Sequence, residues 1–284
     1  MLGASDQGRC ILNGAVLSGI NLTGADLQDA IIRGTALPDA ELSNAKLGKA
    51  SIDAANFQRA LLGGADFTEA RVSASDFGSS WMAEAIWSDA EIHHSNFRRS
   101  NLRRARFQGA LLDSCKFPEA ALNAASFQHA RIALCDFSQS DFTAAQFVRA
   151  RIDNTRFHAA SGPDANFTNC RLQACDFAKS DLPRARFCKA DLAGSQFAGT
   201  VLREADFRQA KLSSVVLSHA DLSGARFGGA LLFAADLRGA NLTGARELTS
   251  QQLSQARTDH TTTLPNGSQG AYLRYSGSER PAAR

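Results

Sequence analysis

The chain has 284 residues, a formal charge of +3 and 44% hydrophobic residues. That is enough apolar material for a sizeable core, and too little charge to mark a nucleic-acid binder by composition. No run nears the roughly 18 apolar residues of a membrane span, so no transmembrane segment is expected.

Residues 1–11 read as an N-terminal segment or cap. Their opening, MLGASDQGRC, lacks the basic stretch and apolar run of a secretory leader. A cytoplasmic protein is the expectation, although leaderless export as an effector leaves no mark in a sequence. From residue 12 to residue 246 the chain keeps a period of five. Slot 1 denotes positions ending in 0 or 5, slot 2 those ending in 1 or 6, and so on. Slot 3, from Leu12 to Leu242, is Leu, Ile, Val, Met, Phe or Trp everywhere except Gly162. Slot 1 holds Ala, Ser, Cys or Thr from Cys10 to Ala245, apart from Ile20 and Val215. No insertion shifts the phase, which predicts one continuous domain.

A period of five fits neither an amphipathic helix nor a simple strand. Slots 1 and 3 are two apart, so in extended backbone both side chains point to one side. The chain must then turn a corner through slots 4 and 5. Pro38, Pro118, Pro163 and Pro183 all occupy slot 4, and glycines such as Gly14, Gly24, Gly194 and Gly244 occupy slot 5. Proline second and glycine third is the chemistry of a type II turn, whose third residue needs positive φ. Each pentapeptide is therefore one short side and one corner.

The large residues count the sides. Phe dominates slot 3 positions ending in 7, and every slot 3 Ile falls twenty residues, or a multiple of twenty, from the others: Ile32, Ile52, Ile92, Ile132 and Ile152. Segregation at twenty implies four sides per turn, with residues twenty apart stacked as ladders. Phe142, one turn before Gly162, reads as compensation for the missing side chain. Twelve coils or so at the strand spacing predict a rod of about 55 Å.

The A(D/N)Lxx pattern, seen in ADLSG, ANLTG, ADFTE and CDFSQ, resembles the pentapeptide-repeat family over residues 10–246. The resemblance implies a right-handed quadrilateral β-helix: an all-β solenoid, here of about twelve coils with a short C-terminal helix. It implies nothing single about function, because the motif is structural. Beyond Ala245 the period stops. Thr249 with Gln252 three residues on predicts a capping box and a helix over 250–257, within a cap covering 247–264. Residues 265–284, rich in Gly, Ser, Pro and Arg, read as a mobile tail, with Tyr272, Leu273 and Tyr275 able to dock. Leu248 and Leu253 are placed to plug the last coil, and Leu231 and Phe233 point outward beside them. The four form the candidate end surface, either a cap alone or, as the resemblance implies, a seat for a homodimer.

Five of the six cysteines occupy slot 1 and read as small core filler; Cys188, in slot 4, is a lone outward thiol. His93 is expected beside Asp113 on the next coil, without a nucleophile or cleft. No enzymatic activity, cofactor or metal is expected. Charge is more informative. Residues 12–91 carry 5 Lys or Arg against 11 Asp or Glu, and residues 92–246 carry 21 against 13. RRSNLRRAR places Arg98, Arg99, Arg103, Arg104 and Arg106 around two corners. Arg131, Arg151 and Arg171 stack in slot 2, with Arg149 and Lys189 on the adjoining corner, as a stripe for an anionic partner. Leu61, Trp81 and Ile86 form the candidate apolar patch.

Three functions follow. The first is a non-enzymatic rigid scaffold, of adaptor or effector type, that presents charged solenoid faces to another protein. The second comes from the resemblance: some members protect DNA gyrase from quinolones or toxins by imitating duplex DNA, a role that needs a strongly negative surface. The third is binding of nucleic acid or anionic lipid through the arginine stripe, marked by steep salt dependence.

Overall fold

In a computed structural model, residues 3–4 and 9–282 are described. Residues 1–2 and 5–8 of the expected N-terminal cap, and 283–284 of the tail, lie outside the described residues. The chain forms two compact units, Met1–Phe142 and Thr143–Arg284. The first holds β1 (Gly3–Ala4), β2 (Cys10–Ile11), β3 (Ile31–Arg33), β4 (Ser51–Asp53), β5 (Arg71–Ser73), β6 (Glu91–His93), β7 (Leu111–Asp113) and β8 (Arg131–Ala133). The second holds β9 (Arg151–Asp153), β10 (Arg171–Gln173) and helix α1 (Ser250–Gln255).

The twenty-residue register is present in both units. In the first, β3 to β8 pair in parallel through Ile32, Ile52, Val72, Ile92, Leu112 and Ile132. In the second, Ile152 of β9 lies opposite Leu172 of β10. The other three sides are held by single parallel bridges at the same spacing, such as Val16 with Ala36, Asn21 with Glu41 and Asp26 with Lys46. Each unit is therefore a four-sided parallel β-solenoid. At the start, β1 runs antiparallel to β2 and pairs its backbone.

Corners explain why strands of three residues occupy only one side. At the tight corners the slot 1 N–H donates to the slot 3 carbonyl, as in Ala25 to Leu22 (3.0 Å) and Ala60 to Phe57 (3.0 Å). Slot 5 takes positive φ there as expected, although mostly without glycine: Lys49, Arg59 and Ala124 have φ of 58°, 58° and 56°. No Val, Ile or Thr occupies slot 5, because a β-branched side chain tolerates that region worst. The corner after β4 and β5 is wider, and the next coil supplies the acceptor. Ala55 N–H donates to Ser75 Oγ (3.1 Å), and Ser75 N–H to Ser95 Oγ (3.2 Å). In the second unit Cys175 N–H donates to Ser195 Oγ (3.1 Å).

The hydroxyls and thiols of this column also donate to backbone carbonyls. Ser75 Oγ bonds Ser73 O at 2.8 Å, Cys115 Sγ bonds Ile92 O at 3.3 Å, and Cys175 Sγ bonds Ile152 O at 3.3 Å. Buried cysteines are thus core filler with a hydrogen-bonding task as well. After β10 the tight turn returns, with Ser195 N–H on Leu192 O and Val215 N–H on Leu212 O. Three-residue strands accordingly mark eight turns among the described residues, six in the first unit and two in the second. That differs from the expected coil count because beyond β10 the tight corner reduces this side too to single bridges, Arg171 with Asp191 and Asp191 with Lys211, while the twenty-residue register continues.

Phenylalanine ladders fill the interior. In the first unit Phe57, Phe77, Phe97, Phe117 and Phe137 stack at 4.6–5.0 Å. Trp87 takes a rung of the facing ladder, 3.9 Å from Phe67, and its buried Nε1 has no hydrogen-bond partner among the described residues. In the second unit Phe177 stacks on Phe157 and Phe197 at 4.5 and 4.7 Å. The two ladders meet edge to face, the favoured quadrupolar arrangement.

The predicted capping box exists: Thr249 Oγ1 accepts from Gln252 N–H, and Gln252 Oε1 accepts from Thr249 N–H. Helix α1 is two residues shorter than expected. Leu248 and Leu253 are buried, as a plug requires. Gln252 Nε2 donates to Phe227 O and Ala230 O, so the open backbone edge is satisfied by a side chain. The tail folds back on this cap, with Tyr272 Oη donating to Ser250 Oγ at 2.7 Å and a bridge between Thr263 and Gln269.

Candidate interaction faces

Parallel in-register coils stack outward residues in columns twenty apart, so each charge is met first by its column neighbour. The sequence places opposite charges there. Arg59 holds Asp39 through two bonds of 2.7 Å, and Arg71 lies 3.4 Å from Glu91. His93 is 3.7 Å from Asp113, as the register predicts. The same rule governs the basic corner. Arg98 and Arg99 both bind Glu119 at 2.7 Å, and Arg104 lies 3.4 Å from Glu84. Their hydrogen bonds, Arg99's first, pull the Glu119 carboxyl below its ordinary pKa. Arg103 donates to Asn123 Oδ1, and Arg106 has no charged partner among the described residues.

Of the stripe, Arg131 is exposed on β8 in the first unit, in register with Leu111. In the second unit Arg151 and Arg171 are directly paired across β9 and β10. Arg171 also approaches Asp153 (4.0 Å), and its column continues to Asp191, which lies 3.3 Å from Lys211. Arg149 and Lys189 occupy positive-φ corner positions two turns apart.

The apolar patch is partly assembled. Leu61 and Trp81 are bridged neighbours, 45% and 53% exposed. The indole lies against Gly63: a Cβ there would touch Trp81 Cδ1 at 3.5 Å, an ordinary van der Waals contact. Ile86, on the next side, is half-buried between Asp66 and Arg106. SSWMAEAIWS keeps its phase, with Met82 and Trp87 inside. At the other end, Leu231 and Phe233 are exposed, whereas Leu248 and Leu253 are buried and offer no surface.

One set of residues escaped the sequence reading: Arg186, Arg226 and Arg246 occupy one slot 2 column in the second unit. Slot 2 taken in steps of twenty shows them; clusters of adjacent arginines do not. Among the described residues no group of three or more His, Cys, Asp or Glu converges as metal ligands would, and no helix is long and apolar enough to cross a membrane.

Coils of one repeated pentapeptide, each pairing with its neighbours at a twenty-residue register, define a solenoid repeat protein. A family model described as pentapeptide repeats (8 copies) matches residues 8–37, 40–78, 88–117, 180–218, 190–229 and 210–246, together more than half of the chain. A second, described as a pentapeptide repeat region, matches residues 110–187. The chain belongs to the pentapeptide repeat family, whose right-handed quadrilateral β-helix it adopts.

Among solved structures it is similar to HetL, a pentapeptide repeat protein involved in heterocyst differentiation regulation from the cyanobacterium Nostoc sp. Strain PCC 7120. Identity is 24%, covering 89% of this chain and 92% of that one, with a TM-score of 0.35. QnrB1, a plasmid-mediated fluoroquinolone resistance protein, is 21% identical over 63% of this chain and 86% of its own, with a TM-score of 0.33. A pentapeptide repeat protein from the Arabidopsis thaliana thylakoid lumen is 28% identical over 36% of this chain and 70% of its own, with a TM-score of 0.35. No curated protein matches the chain.

Proposed function

We propose that this protein is a non-enzymatic scaffold that presents the columns of its solenoid faces to another protein. The observation that carries the reading is the Leu61–Trp81 pair: two large apolar side chains, adjacent in register and about half exposed. Large exposed aromatics on a flat, otherwise polar face favour a protein partner, and Trp is the side chain most enriched at the centre of such contacts. Family membership supports a structural repeat that works by display.

The test is capture of partners from the native host with wild type, Trp81→Ala and an Arg131→Glu/Arg151→Glu/Arg171→Glu variant, after circular dichroism has verified folding. A partner lost with Trp81→Ala supports the reading. A partner kept by Trp81→Ala and lost by the arginine variant moves the contact to the stripe. Protection of DNA gyrase supercoiling by a protein indifferent to both changes replaces the scaffold with DNA mimicry. Salt-sensitive binding of DNA or anionic vesicles, abolished by the arginine variant, replaces it with the third function.

A further inference from the structure

We infer that the second unit carries a cationic groove that takes up an extended acidic peptide segment of a partner, through Arg186, Arg226 and Arg246; the inference rests on the scaffold reading and gives it a partner chemistry. The three arginines share one column, in which Asn166, Arg186, Asp206, Arg226 and Arg246 are bridged in succession. All three are exposed and line one groove of about 260 Å³. At Glu204, Gly224 and Arg246 that groove adjoins a second, of about 550 Å³.

Most of the neighbouring charges are already paired. Asp206 lies within the column, yet its carboxylate is held by Arg208 through bonds of 2.9 and 2.6 Å. Asp164 holds Arg184 at 2.8 and 2.7 Å, and Asp221 holds Arg203 at 2.6 Å. Among the described residues Arg226 and Arg246 have no carboxylate partner, Arg186 acts on Asp164 only through space while Asp164 is hydrogen-bonded to Arg184, and Glu204 is the one lining carboxylate outside an ion pair. The second groove is open because its corner positions, Gly224 and Gly244, carry no side chain at φ of 69° and 68°. Ser223 and Thr243 add hydroxyls, and Pro265 and Pro281 of the folded-back tail supply an apolar wall. Gly244 N–H donates to Pro265 O at 2.9 Å, which fixes that wall to the coil.

Length and charge together favour one occupant. Three coil steps separate Arg186 from Arg246, about 14 Å at the strand spacing of about 4.8 Å. An extended chain covers nearly the same distance in four residues, with residues i, i+2 and i+4 on one face. The arginines fall at about 0, 10 and 14 Å and alternate residues of the strand at about 0, 7 and 13 Å. The end carboxylates are therefore in register and the middle one, about 3 Å off, is met by the long, flexible Arg226 side chain, each pair gaining a charge-assisted hydrogen bond. A single small anion cannot span such a row. Single-stranded nucleic acid binds on aromatic stacking platforms, and no residue lining either groove is aromatic.

The test uses the full chain and a fluorescent peptide, Glu-Thr-Glu-Thr-Glu-Thr-Glu, followed by anisotropy at low salt. Saturable binding is expected, weakened about tenfold or more in Arg186→Ala/Arg226→Ala/Arg246→Ala. The same peptide with Gln for Glu should not bind, and Arg131→Ala/Arg151→Ala/Arg171→Ala should bind as wild type. No saturable signal, equal binding by the groove variant, or tighter groove-dependent binding of oligo-dT overturns the inference. Trp81→Ala should leave peptide affinity unchanged while the partner-capture assay tests the scaffold, so the two readings fail separately.

Discussion

Phe177→Ala is the sharpest test of the ladder. Phe177 is fully buried, stacked on Phe157 and Phe197 at 4.5 and 4.7 Å and met edge-on by Phe167 and Phe187 at 5.7 and 6.4 Å. The backbone cannot collapse into the void, since Phe177 N–H is bonded to Gln196 O and Asp176 N–H to Thr155 O, one coil away on either side. With roughly 100 Å³ left empty at about 24 cal/mol per Å³, the cavity costs about 2.4 kcal/mol, and lost transfer energy brings the sum to about 4–5 kcal/mol. Phe177→Leu keeps most of the volume and loses the stacks, so it should cost about 1–2 kcal/mol. Urea unfolding followed by circular dichroism reads both. A double-mutant cycle of Phe157→Leu with Phe177→Leu should show coupling near 1 kcal/mol, as touching aromatics do. A Phe177→Ala cost below about 1 kcal/mol, or no coupling between residues twenty apart, would show that the ladder is not the core.

Three further outcomes are expected. At pH 8 a thiol reagent should titrate only the half-buried Cys10 and Cys188 in native protein and all six cysteines in denaturant, because Cys115, Cys135, Cys170 and Cys175 are buried out of its reach and burial also pushes the Cys170 and Cys175 thiols up to about 12; rapid reaction of a third thiol would contradict this. Gly194→Ala, at φ 74° with nothing within 4 Å of the added Cβ, isolates backbone strain and should cost about 1 kcal/mol in thermal unfolding, with Gly194→Val costing more. Burial, the largest influence on Asp206, works to raise its pKa, but bonds from Arg208 and Cys188 outweigh it and hold the carboxyl at about 2. A carboxyl depressed below its unfolded value near 3.9 stabilises the fold fully above about pH 4 and loses that contribution as pH falls toward 2. Asp206→Asn should therefore flatten the drop in melting temperature across that window, and an unchanged slope would refute the assignment.

How much of this was legible depends on whether a feature repeats at five or only at twenty. The ladders repeat at both: Phe157, Phe177 and Phe197 were placed from their final digit. The wide corner was not, since Ala55, Ser75, Cys115 and Cys175 all look merely small. Only the hydrogen bonds distinguish the donors from Val215, where the tight turn returns. Charge groups differently along the chain and across the coils for the same reason. RRSNLRRAR is a cluster along the chain, but Arg99 belongs to Glu119 and Arg104 to Glu84, each twenty residues off. At the end surface, hydrophobicity alone could not separate Leu253, which faces the coil, from Phe233, which faces water.

The column rule also says where binding free energy can reside. Two guanidiniums one coil apart, about 5 Å, repel by roughly 0.8 kcal/mol even at the dielectric of water, and salt reduces rather than removes this. Where the sequence supplies an acid in the column or beside it, as Asp153 does near Arg171, the repulsion is offset within the fold and little remains for a partner. Arg226 and Arg246 are adjacent with no acid paired to either; the intervening carboxylate upstream, Asp206, is committed to Arg208, and Glu204 lines the same groove without an ion pair. A partner's carboxylate placed between them gains its own attraction and also relieves an existing repulsion. The arginines left over after in-register pairing, rather than the most arginine-dense stretch, are therefore where the inferred acidic segment gains most.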